Sequence, residues 1–482
     1  MKMSFKLYDR VIEKYKELSV QVKASIWFIV CNILQKALAL LATPIFTRIM
    51  TQEQYGVYSQ YTSWHGILVI FATLNLFIGV YSKGIVEFKQ DAEAFTSSLL
   101  TLTSVITVIL FVIYLLFIDF WTSVLDMSPV LMVAMFVDIL VWSAFEFWSV
   151  KQRFIYHYKK LVVLTILMTI FTLLFGVIGV LVSEWKVEAR VISEVIVRVA
   201  IAAIIYVNII KQGKCGYNKK YWIYALSFNL PLIPHFLSNL VLGQADRIMI
   251  GKLVGDASVA IYSIAYTISM MMVIIVNAIN NSYTPYIYEK LELNEVENIR
   301  KSVYPVIVII AVLCMCTTIF APELILVFAG KTYMEAVDMI PIIAISVFFI
   351  YLYSLFSNVE YFYKKTKGIA VATTIAAILN IVLNMIFIPI FGYKVAAVTT
   401  LVCYIFLAIM HYIMYLKIVK NEMKNQYVFD GKFIIKISVA LLLGSFIMMY
   451  IYEYIIIRYI LFFVIAIMCY IFRDKLIAVF RK

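Results

Sequence analysis

Charged residues are scarce in this chain of 482 residues, of which 14% are charged and 64% are hydrophobic. Soluble globular domains carry about 25% charged residues, so this composition excludes an ordinary soluble protein. The first twenty residues also lack the apolar core of a cleavable signal peptide. We therefore expect the first apolar segment itself to direct insertion into a membrane.

Cysteine and histidine are also scarce, with six cysteines and four histidines. No two cysteines form a C-x-x-C pair and the histidines are scattered, so their spacing indicates no metal site. No loop contains a glycine-rich phosphate cradle, and the loops predicted to face outwards are too short to hold a catalytic domain. The sequence thus predicts no metal, no cofactor and no enzymatic activity.

Long apolar segments dominate the chain, about fourteen of them, each long enough to cross a bilayer as a helix. Most of the 41 lysines and arginines lie in the N-terminal segment, in every second loop and in the C-terminal tail. This asymmetry predicts that both termini are cytoplasmic. The net charge of +13 then reflects topology and contact with anionic membrane lipids, not nucleic-acid binding.

Lys36 lies near the middle of the first apolar segment, which runs from Ala24 to Phe46. At about 1.5 Å per residue it is roughly 15 Å from either end, too deep for a lysine stem to reach the interface easily. A charge left in lipid there costs about 2.5–3.5 kcal/mol or more, so we expect Lys36 to face a water-filled cavity. This expectation favours a transporter.

A short internal repeat indicates a duplicated architecture. Arg48–Met50 closes the first segment and Tyr55–Ser59 follows, and Arg247–Met249 with Val259–Ser263 repeats this pattern six segments later. An even number of intervening spans gives both copies the same membrane orientation, as in parallel repeats. The predicted fold is an all-α integral membrane protein of about fourteen transmembrane helices, with two six-helix bundles in a parallel pseudo-two-fold repeat and two further C-terminal helices.

The corresponding domain boundaries are predicted as follows. Residues 1–20 form a cytoplasmic amphipathic segment, 21–215 and 216–420 form the two bundles, and 421–482 form the last two helices with a cytoplasmic tail. Apolar residues spaced among the lysines near the N-terminus favour a helix on the membrane surface, with a disordered basic tail as the alternative.

Charged residues at membrane depth are the candidate functional groups. Arg190, Glu194 and Arg198 recur every four residues and share one helix face. Arginine suits bidentate binding of phosphate, which favours an anion contact at Arg198. The alternative is a structural ion pair that braces two helices.

Asp138 and Glu146 lie eight residues apart on one face of the fourth segment. With Glu194 they are the candidates for coupling to H⁺ or Na⁺, because a carboxylate in low dielectric changes protonation readily or binds a cation. The alternative for Glu146 is an ion pair with Lys151 or Arg153.

His235 follows two prolines, Pro231 and Pro234, which we expect to break the seventh segment. Broken helices are tolerated at membrane depth where they line a cavity, which favours a cavity-facing His235 that could contact the substrate. The alternative is a buried structural histidine, which is the commoner role of a lone histidine.

Two further sets of charged residues have competing interpretations. Asp246, Arg247 and Lys252 lie at the end of the seventh segment, either as a substrate contact or as a solvated interface cluster. Glu360 and Lys364 are four residues apart, where a surface salt bridge is the default expectation.

Several motifs resemble a known family. The run ATPIFTRIMTQEQYGVY, from Ala42 to Tyr58, is similar to the first-helix signature of polysaccharide flippases in the multidrug/oligosaccharidyl-lipid/polysaccharide exporter superfamily. Supporting motifs follow in matching order across nearly the whole chain: Ala321–Glu323, Gly330–Tyr333, Lys364–Lys367, Asn380–Asn384 and Ile390–Tyr393.

The resemblance implies two six-helix bundles around a V-shaped cavity. It further implies export of an oligosaccharide linked to undecaprenyl diphosphate, such as an O-antigen or capsule unit, across the bacterial cytoplasmic (inner) membrane. Arg48 and Arg247 match the basic positions that close the first helix of each half, whereas Lys36 matches no family position.

Our prediction from the sequence is a lipid-linked oligosaccharide flippase that works by ion-coupled alternating access. Lys36, Arg48, Arg198, His235 and Arg247 would bind the anionic substrate. Membrane lipids and other polysaccharide-assembly proteins are the further expected partners. The alternatives are an ion-coupled multidrug exporter, which needs an acidic cavity, a glycan polymerase or glycosyltransferase, which needs a large outer loop, and a non-transporting scaffold.

Overall fold

The computed structural model describes residues 18–471, and within that range it contains helices and turns but no β-strand. Most of the predicted amphipathic segment 1–20 lies outside the described residues. We number the α-helices in chain order: α1 Val20–Ile49, α2 Gln52–Thr73, α3 Val80–Glu87, α4 Ala92–Leu116, α5 Ile118–Leu125, α6 Pro129–Phe154, α7 Tyr158–Val182, α8 Lys186–Gly213, α9 Lys219–Asn229, α10 Ile233–Leu253, α11 Asp256–Glu292, α12 Val296–Ile319, α13 Ala321–Phe328, α14 Ile340–Phe362, α15 Lys367–Phe391, α16 Val395–Asn421, α17 Gly431–Ile451 and α18 Ile455–Ile471.

The prediction of about fourteen membrane-spanning helices is confirmed. Twelve helical segments within residues 18–471 are long and apolar enough to cross a membrane. Two more helices complete the set: α2, which is 22 residues long but comparatively polar, and α18, an apolar helix of 17 residues. The protein is therefore a multi-pass membrane protein.

Local sequence explains where several helices begin. Ser19 caps α1 by accepting a hydrogen bond from the Val22 amide, and Asp430 caps α17 in the same way through Lys432. Ser128 precedes Pro129, so a capping hydroxyl stands next to a proline at the first helical position of α6. Each arrangement satisfies or removes an amide that a helix start leaves without an intrahelical partner.

The predicted break in the seventh segment is present. Helix α9 ends at Asn229, a 3₁₀ turn covers Leu230–Leu232, and α10 begins at Ile233. The Asn229 side chain donates to the carbonyls of Leu74 and Asn75, each at 2.8 Å. This contact ties the start of the break to the chain that follows α2.

The chain forms two compact units. The first comprises the residues through Met50 together with Trp64–Ile233, and the second comprises Thr51–Ser63 together with the residues from Pro234 onward. The main division thus follows Ile233, eighteen residues beyond the boundary predicted at 215, so that α9 groups with the first unit. Helix α2 contributes its first part to the second unit and its remainder to the first.

Glycine at two positions lets the first part of α2 approach α10 and α11 closely. A Cβ atom on Gly56 would lie 1.9 Å from the backbone oxygen of Asp256, and one on Gly251 would lie 2.2 Å from Gln60 Oε1. The Gln60 amide donates to the Asp256 carboxylate, and the Ser63 hydroxyl donates to Gln244 Oε1 at 3.0 Å. Backbone proximity and polar contacts thus fix this part of α2 within the second unit.

Candidate functional site

The first unit gathers five ionisable side chains from three helices, which we call the Asp138 cluster. Its members are His65 on α2, Asp138 on α6, and Arg190, Glu194 and Arg198 on α8. Asp138 is the centre: its Oδ2 atom lies 3.0 Å from Arg198 Nη1 and 2.9 Å from His65 Nε2. The predicted candidates Asp138, Glu194 and Arg198 are therefore brought together.

Exposure within the Asp138 cluster is uneven. The side chain of Asp138 is 1% exposed and that of Glu194 12% exposed, whereas that of Arg198 is 33% exposed. Because both carboxylates are less exposed than Arg198, the most accessible charge of the cluster is positive.

Glu194 is placed between the two arginines of α8, as the four-residue spacing predicts. Arg190 Nε lies 3.3 Å from Glu194 Oε1, and Arg198 Nη2 lies 4.0 Å from Glu194 Oε2. The Arg190 guanidinium also stacks 3.6 Å from the centroid of the Phe46 ring and reaches Met50 Sδ at 3.6 Å. Arg190 is therefore a buried brace between α8 and the end of α1, which agrees with the structural alternative for that residue.

Glu146 lies eight residues after Asp138 on α6, next to the Asp138 cluster. Its Oε1 atom accepts a hydrogen bond from Trp142 Nε1 at 3.0 Å, and the Trp142 ring lies 5.7 Å from the Arg198 guanidinium. Lys151, one of the expected partners of Glu146, instead pairs with Glu93. Asp138 thus binds Arg198 directly, whereas Glu146 binds the Trp142 side chain whose ring lies near Arg198.

Lys36 and Arg48 both have exposed side chains on α1. The described residues offer Lys36 no hydrogen bond or ion pair, and Arg48 Nη1 donates to the Pro44 carbonyl at 2.5 Å. Their assignment to substrate binding remains a prediction.

The second unit contains a buried carboxylate, for which the sequence left open a substrate contact or a solvated interface cluster. Asp246 on α10 is 1% exposed. Asn384 Nδ2 and Thr400 Oγ1 each donate to it at 2.6 Å, and Tyr262 donates from α11. Thr399 in turn donates to Asn384, so helices α10, α11, α15 and α16 meet at one carboxylate, and we call these five residues the Asp246 network.

The chemistry of the Asp246 network suits a proton or a small monovalent cation. It combines one carboxylate with amide and hydroxyl oxygens, which are the ligands that hard cations prefer. Among residues 18–471 no group of three or more histidine, cysteine, aspartate or glutamate side chains could hold a metal ion. The signal that could have revealed the network was the pair Asn380 and Asn384, four residues apart in an otherwise apolar segment.

Arg247, next to Asp246, is 8% exposed and its donors are engaged inside the second unit. Nη1 donates to the Gly243 carbonyl at 2.9 Å and to Gln244 Oε1 at 2.7 Å, and Nε donates to Ser263 Oγ at 3.1 Å. Arg48 in the first unit makes the same contact with the carbonyl four residues before it. The two arginines of the internal repeat therefore share a local geometry but differ in burial.

The remaining two candidates lie in the second unit. His235 Nδ1 lies 3.3 Å from Thr373 Oγ1, and Asn239 Nδ2 lies 3.2 Å from His235 Nε2, which leaves the ring half-buried between α10 and α15. The expected surface pair of Glu360 with Lys364 is wrong. Glu360 is fully buried and its Oε1 atom lies 2.7 Å from Nδ1 of the equally buried His411, because α14 turns that side chain towards α16.

Comparisons with known proteins agree with this architecture. The chain matches the family model "Polysaccharide biosynthesis protein" over residues 22–291 and the MatE family model over residues 231–386. An uncharacterized membrane protein of Haemophilus influenzae is 24% identical over 203 residues, which are 40% of this chain and 49% of that protein. The chain thus spans about half the length of this curated relative.

Solved structures share the fold at low identity. A lipid II flippase, MurJ, in an inward closed conformation superposes with a TM-score of 0.67 at 16% identity, covering 93% of this chain and 99% of that one. An outward-facing multidrug resistance MATE family transporter of the MOP superfamily superposes with a TM-score of 0.57 at 14% identity, covering 83% and 95%. The resemblance read from the motifs is confirmed: the chain belongs to the polysaccharide biosynthesis protein family and has the fold of MOP-superfamily transporters.

Proposed function

We propose that this protein flips an oligosaccharide linked to undecaprenyl diphosphate from the inner to the outer leaflet of the bacterial cytoplasmic membrane by ion-coupled alternating access, with both termini cytoplasmic. Membership of the polysaccharide biosynthesis protein family supports the substrate class. The fold shared with a lipid II flippase supports a carrier for a lipid-linked glycan.

The observation that carries the proposal is the uneven exposure of the Asp138 cluster. The Arg198 side chain is one-third exposed, whereas that of Asp138 is buried and that of Glu194 is 12% exposed. A diphosphate presents oxygens that a guanidinium binds by charge-assisted hydrogen bonds. The exposed Lys36 adds a second cation within the same unit.

The same observation weighs against the multidrug exporter. A cavity for cationic drugs needs carboxylates that the drug can reach, because an opposite charge must replace the water lost on binding. The carboxylates of the Asp138 cluster are less accessible than Arg198. A cationic drug would therefore meet Arg198 first and be repelled.

Ion coupling is the second part of the proposal. Asp138 and Glu194 are already paired with arginine, and Glu146 accepts a hydrogen bond from Trp142. Asp246 is held by neutral donors, so binding a proton or a monovalent cation there would neutralise a buried charge. We therefore assign the coupling ion to the Asp246 network and keep Asp138, Glu146 and Glu194 as secondary candidates.

The substrate assignment is tested by complementing a strain that lacks its own glycan flippase. We expect Lys36→Ala and Arg198→Gln to lower the amount of surface glycan while the protein inserts normally. Lys159→Ala, which removes an exposed lysine at the start of α7, is the matched control. Unchanged surface glycan in both test variants, or export of cationic drugs by the wild type without any glycan export, would overturn the assignment.

The coupling assignment is tested separately with purified protein in vesicles. We expect Asp246→Asn to abolish the dependence of flipping on an imposed H⁺ or Na⁺ gradient, because the amide cannot carry the charge. Asp119→Asn, which changes an exposed residue of α5, should keep that dependence. A gradient response of normal size in Asp246→Asn would exclude Asp246 as the coupling residue.

A further inference from the structure

Four lysines surround a cavity between the end of α14, the start of α15 and the end of α16. They are Lys364, Lys365, Lys367 and Lys417, and we call the site the lysine pocket. Its volume is about 470 Å³. Glu422 is the one acidic residue in its lining, and it pairs with Lys365 at 3.0 Å. The lysine pocket therefore keeps a surplus of positive charge.

Backbone geometry concentrates further positive potential at the lysine pocket. Helix α15 begins there at Lys367, and Thr366 at its N-cap provides no side-chain hydrogen bond. The amides of the first turn thus add the positive end of the helix dipole to the lysines. Gly368 allows the close approach of α16, because a Cβ atom there would lie 2.2 Å from Met414 Sδ.

An apolar stripe leads away from the lysine pocket along α15. Val371, Ile375, Ile378 and Val382 are all exposed, and their spacing of four, three and four residues places them on one helix face. Lys367 precedes Val371 by four residues and so lies at the end of the same stripe.

Helix α16, which packs against α15, carries a matching stripe. Val398, Val402, Ile409 and Ile413 are exposed on one face, and Lys417 follows Ile413 by four residues. Two neighbouring helices therefore both present an apolar stripe that ends in a lysine, and the two lysines share one cavity.

We propose that the lysine pocket binds the anionic headgroup of a membrane phospholipid, with its acyl chains lying along the stripes of α15 and α16. The orientation predicted from the loop charges puts the pocket at the cytoplasmic leaflet, which is rich in anionic lipid. Two stripes suit a lipid with at least two chains. A soluble phosphate would use the lysines but leave both stripes without a role. The proposal does not depend on which glycan the protein transports.

The test measures lipid binding to full-length protein by native mass spectrometry and by thermal stabilisation in detergent. The probes are phosphatidylglycerol, phosphatidylcholine and inorganic pyrophosphate. We expect phosphatidylglycerol to bind and stabilise, and the double variant Lys367→Gln/Lys417→Gln to weaken this binding about 25-fold, at roughly 5-fold per lysine. The matched control is Lys159→Gln/Lys160→Gln, which removes two exposed lysines at the start of α7 and should leave it unchanged.

Three results would overturn the proposal. These are equal binding of phosphatidylcholine and phosphatidylglycerol by the wild type, equal losses in the test and control variants, and competition by inorganic pyrophosphate as strong as that by phosphatidylglycerol. The last result would indicate a site for soluble phosphate. If the double variant does not fold, Lys367→Gln and Lys417→Gln are measured singly, each with an expected loss of about 5-fold.

Discussion

Asp138 shows what could and could not be predicted for single residues. Spacing alone placed Arg190, Glu194 and Arg198 on one face, because positions four apart in a helix are neighbours. The partner His65 was missed, since it lies 73 positions from Asp138 along the chain and no local pattern connects the two. Asp246 was singled out as a candidate, but its burial was not predicted, because its donors come from three other helices.

Replacing Asp138 by asparagine should destabilise the first unit. The change removes the negative charge that faces Arg198 and His65. The loss of stability is smaller than for a fully buried ion pair, because the Arg198 side chain is partly exposed. We expect a loss of about 2–3 kcal/mol, measured as a lower melting temperature in detergent.

The control for Asp138→Asn is Asp119→Asn, at an exposed site on α5. A melting temperature that falls equally in both variants would show that the contacts of Asp138 contribute nothing to stability.

At the scale of elements, local sequence chemistry predicted where helices begin and break. It did not predict which helices contact one another. The prolines predicted the break before α10, because proline removes a backbone donor. The close contact of α2 with α11 depends on Gly56, and a lone glycine in the sequence does not reveal which backbone it approaches. The pairing of Glu360 with His411 likewise depends on how α14 and α16 pack.

Gly56→Ala should disturb the contact of α2 with α11. The added Cβ would lie 1.9 Å from the Asp256 backbone oxygen, so one helix must shift. We expect a destabilisation of about 1–3 kcal/mol, read from thermal unfolding.

Gly216→Ala is the matched change for Gly56→Ala, since a Cβ at that position has no neighbour within 4 Å. If Gly56→Ala unfolded at the same temperature as Gly216→Ala, α2 would tolerate the displacement.

Glu323 links α13 to α18 and gives this joint a pH dependence. Burial raises the pKa of Glu323. The Arg458 guanidinium, which binds the carboxylate at 2.7 and 2.9 Å, opposes this effect, and the pKa lies below its usual range. A lowered pKa stabilises the fold above the unfolded value of about 4.3, and this stabilisation is lost as the pH falls from there through the lowered pKa.

Replacing Glu323 by glutamine should therefore lower the melting temperature near neutral pH and remove this part of the acid sensitivity. Glu335→Gln, at an exposed carboxylate 3.5 Å from Lys394, should change little, because exposed pairs contribute less than about 1 kcal/mol. An acid unfolding profile that is identical in the wild type and Glu323→Gln would contradict the assignment.

At the scale of the whole molecule, composition was enough to predict an all-α membrane protein of about fourteen spans. The hydropathy of a segment indicates whether that segment is long and apolar enough to cross a bilayer, and this is a property of each segment by itself. The grouping of α9 with the first unit depends instead on long-range contacts, which explains why a boundary drawn at the loop between α8 and α9 differs from the compact units.

Membrane orientation remains a prediction from the loop charges, and thiol labelling tests it. In a variant without native cysteines, Glu184→Cys between α7 and α8 should react with an impermeant thiol reagent added to intact cells. Tyr217→Cys, between α8 and α9, should react only after permeabilisation. The reverse pattern would invert the topology.

The polarity of α2 has a consequence for biosynthesis. Gln60 binds Asp256, which lies 196 residues later in the chain, and Ser63 binds Gln244, which lies 181 residues later. Until the second unit has been synthesised, Ser63 has only the Ser59 carbonyl on its own helix as a partner, and the Gln60 amide lacks its Asp256 partner. Unsatisfied polar groups in hydrocarbon are costly. We expect α2 to settle in the bilayer late during translation, so that chains shortened before Asp256 leave it poorly inserted and open to quality-control proteases.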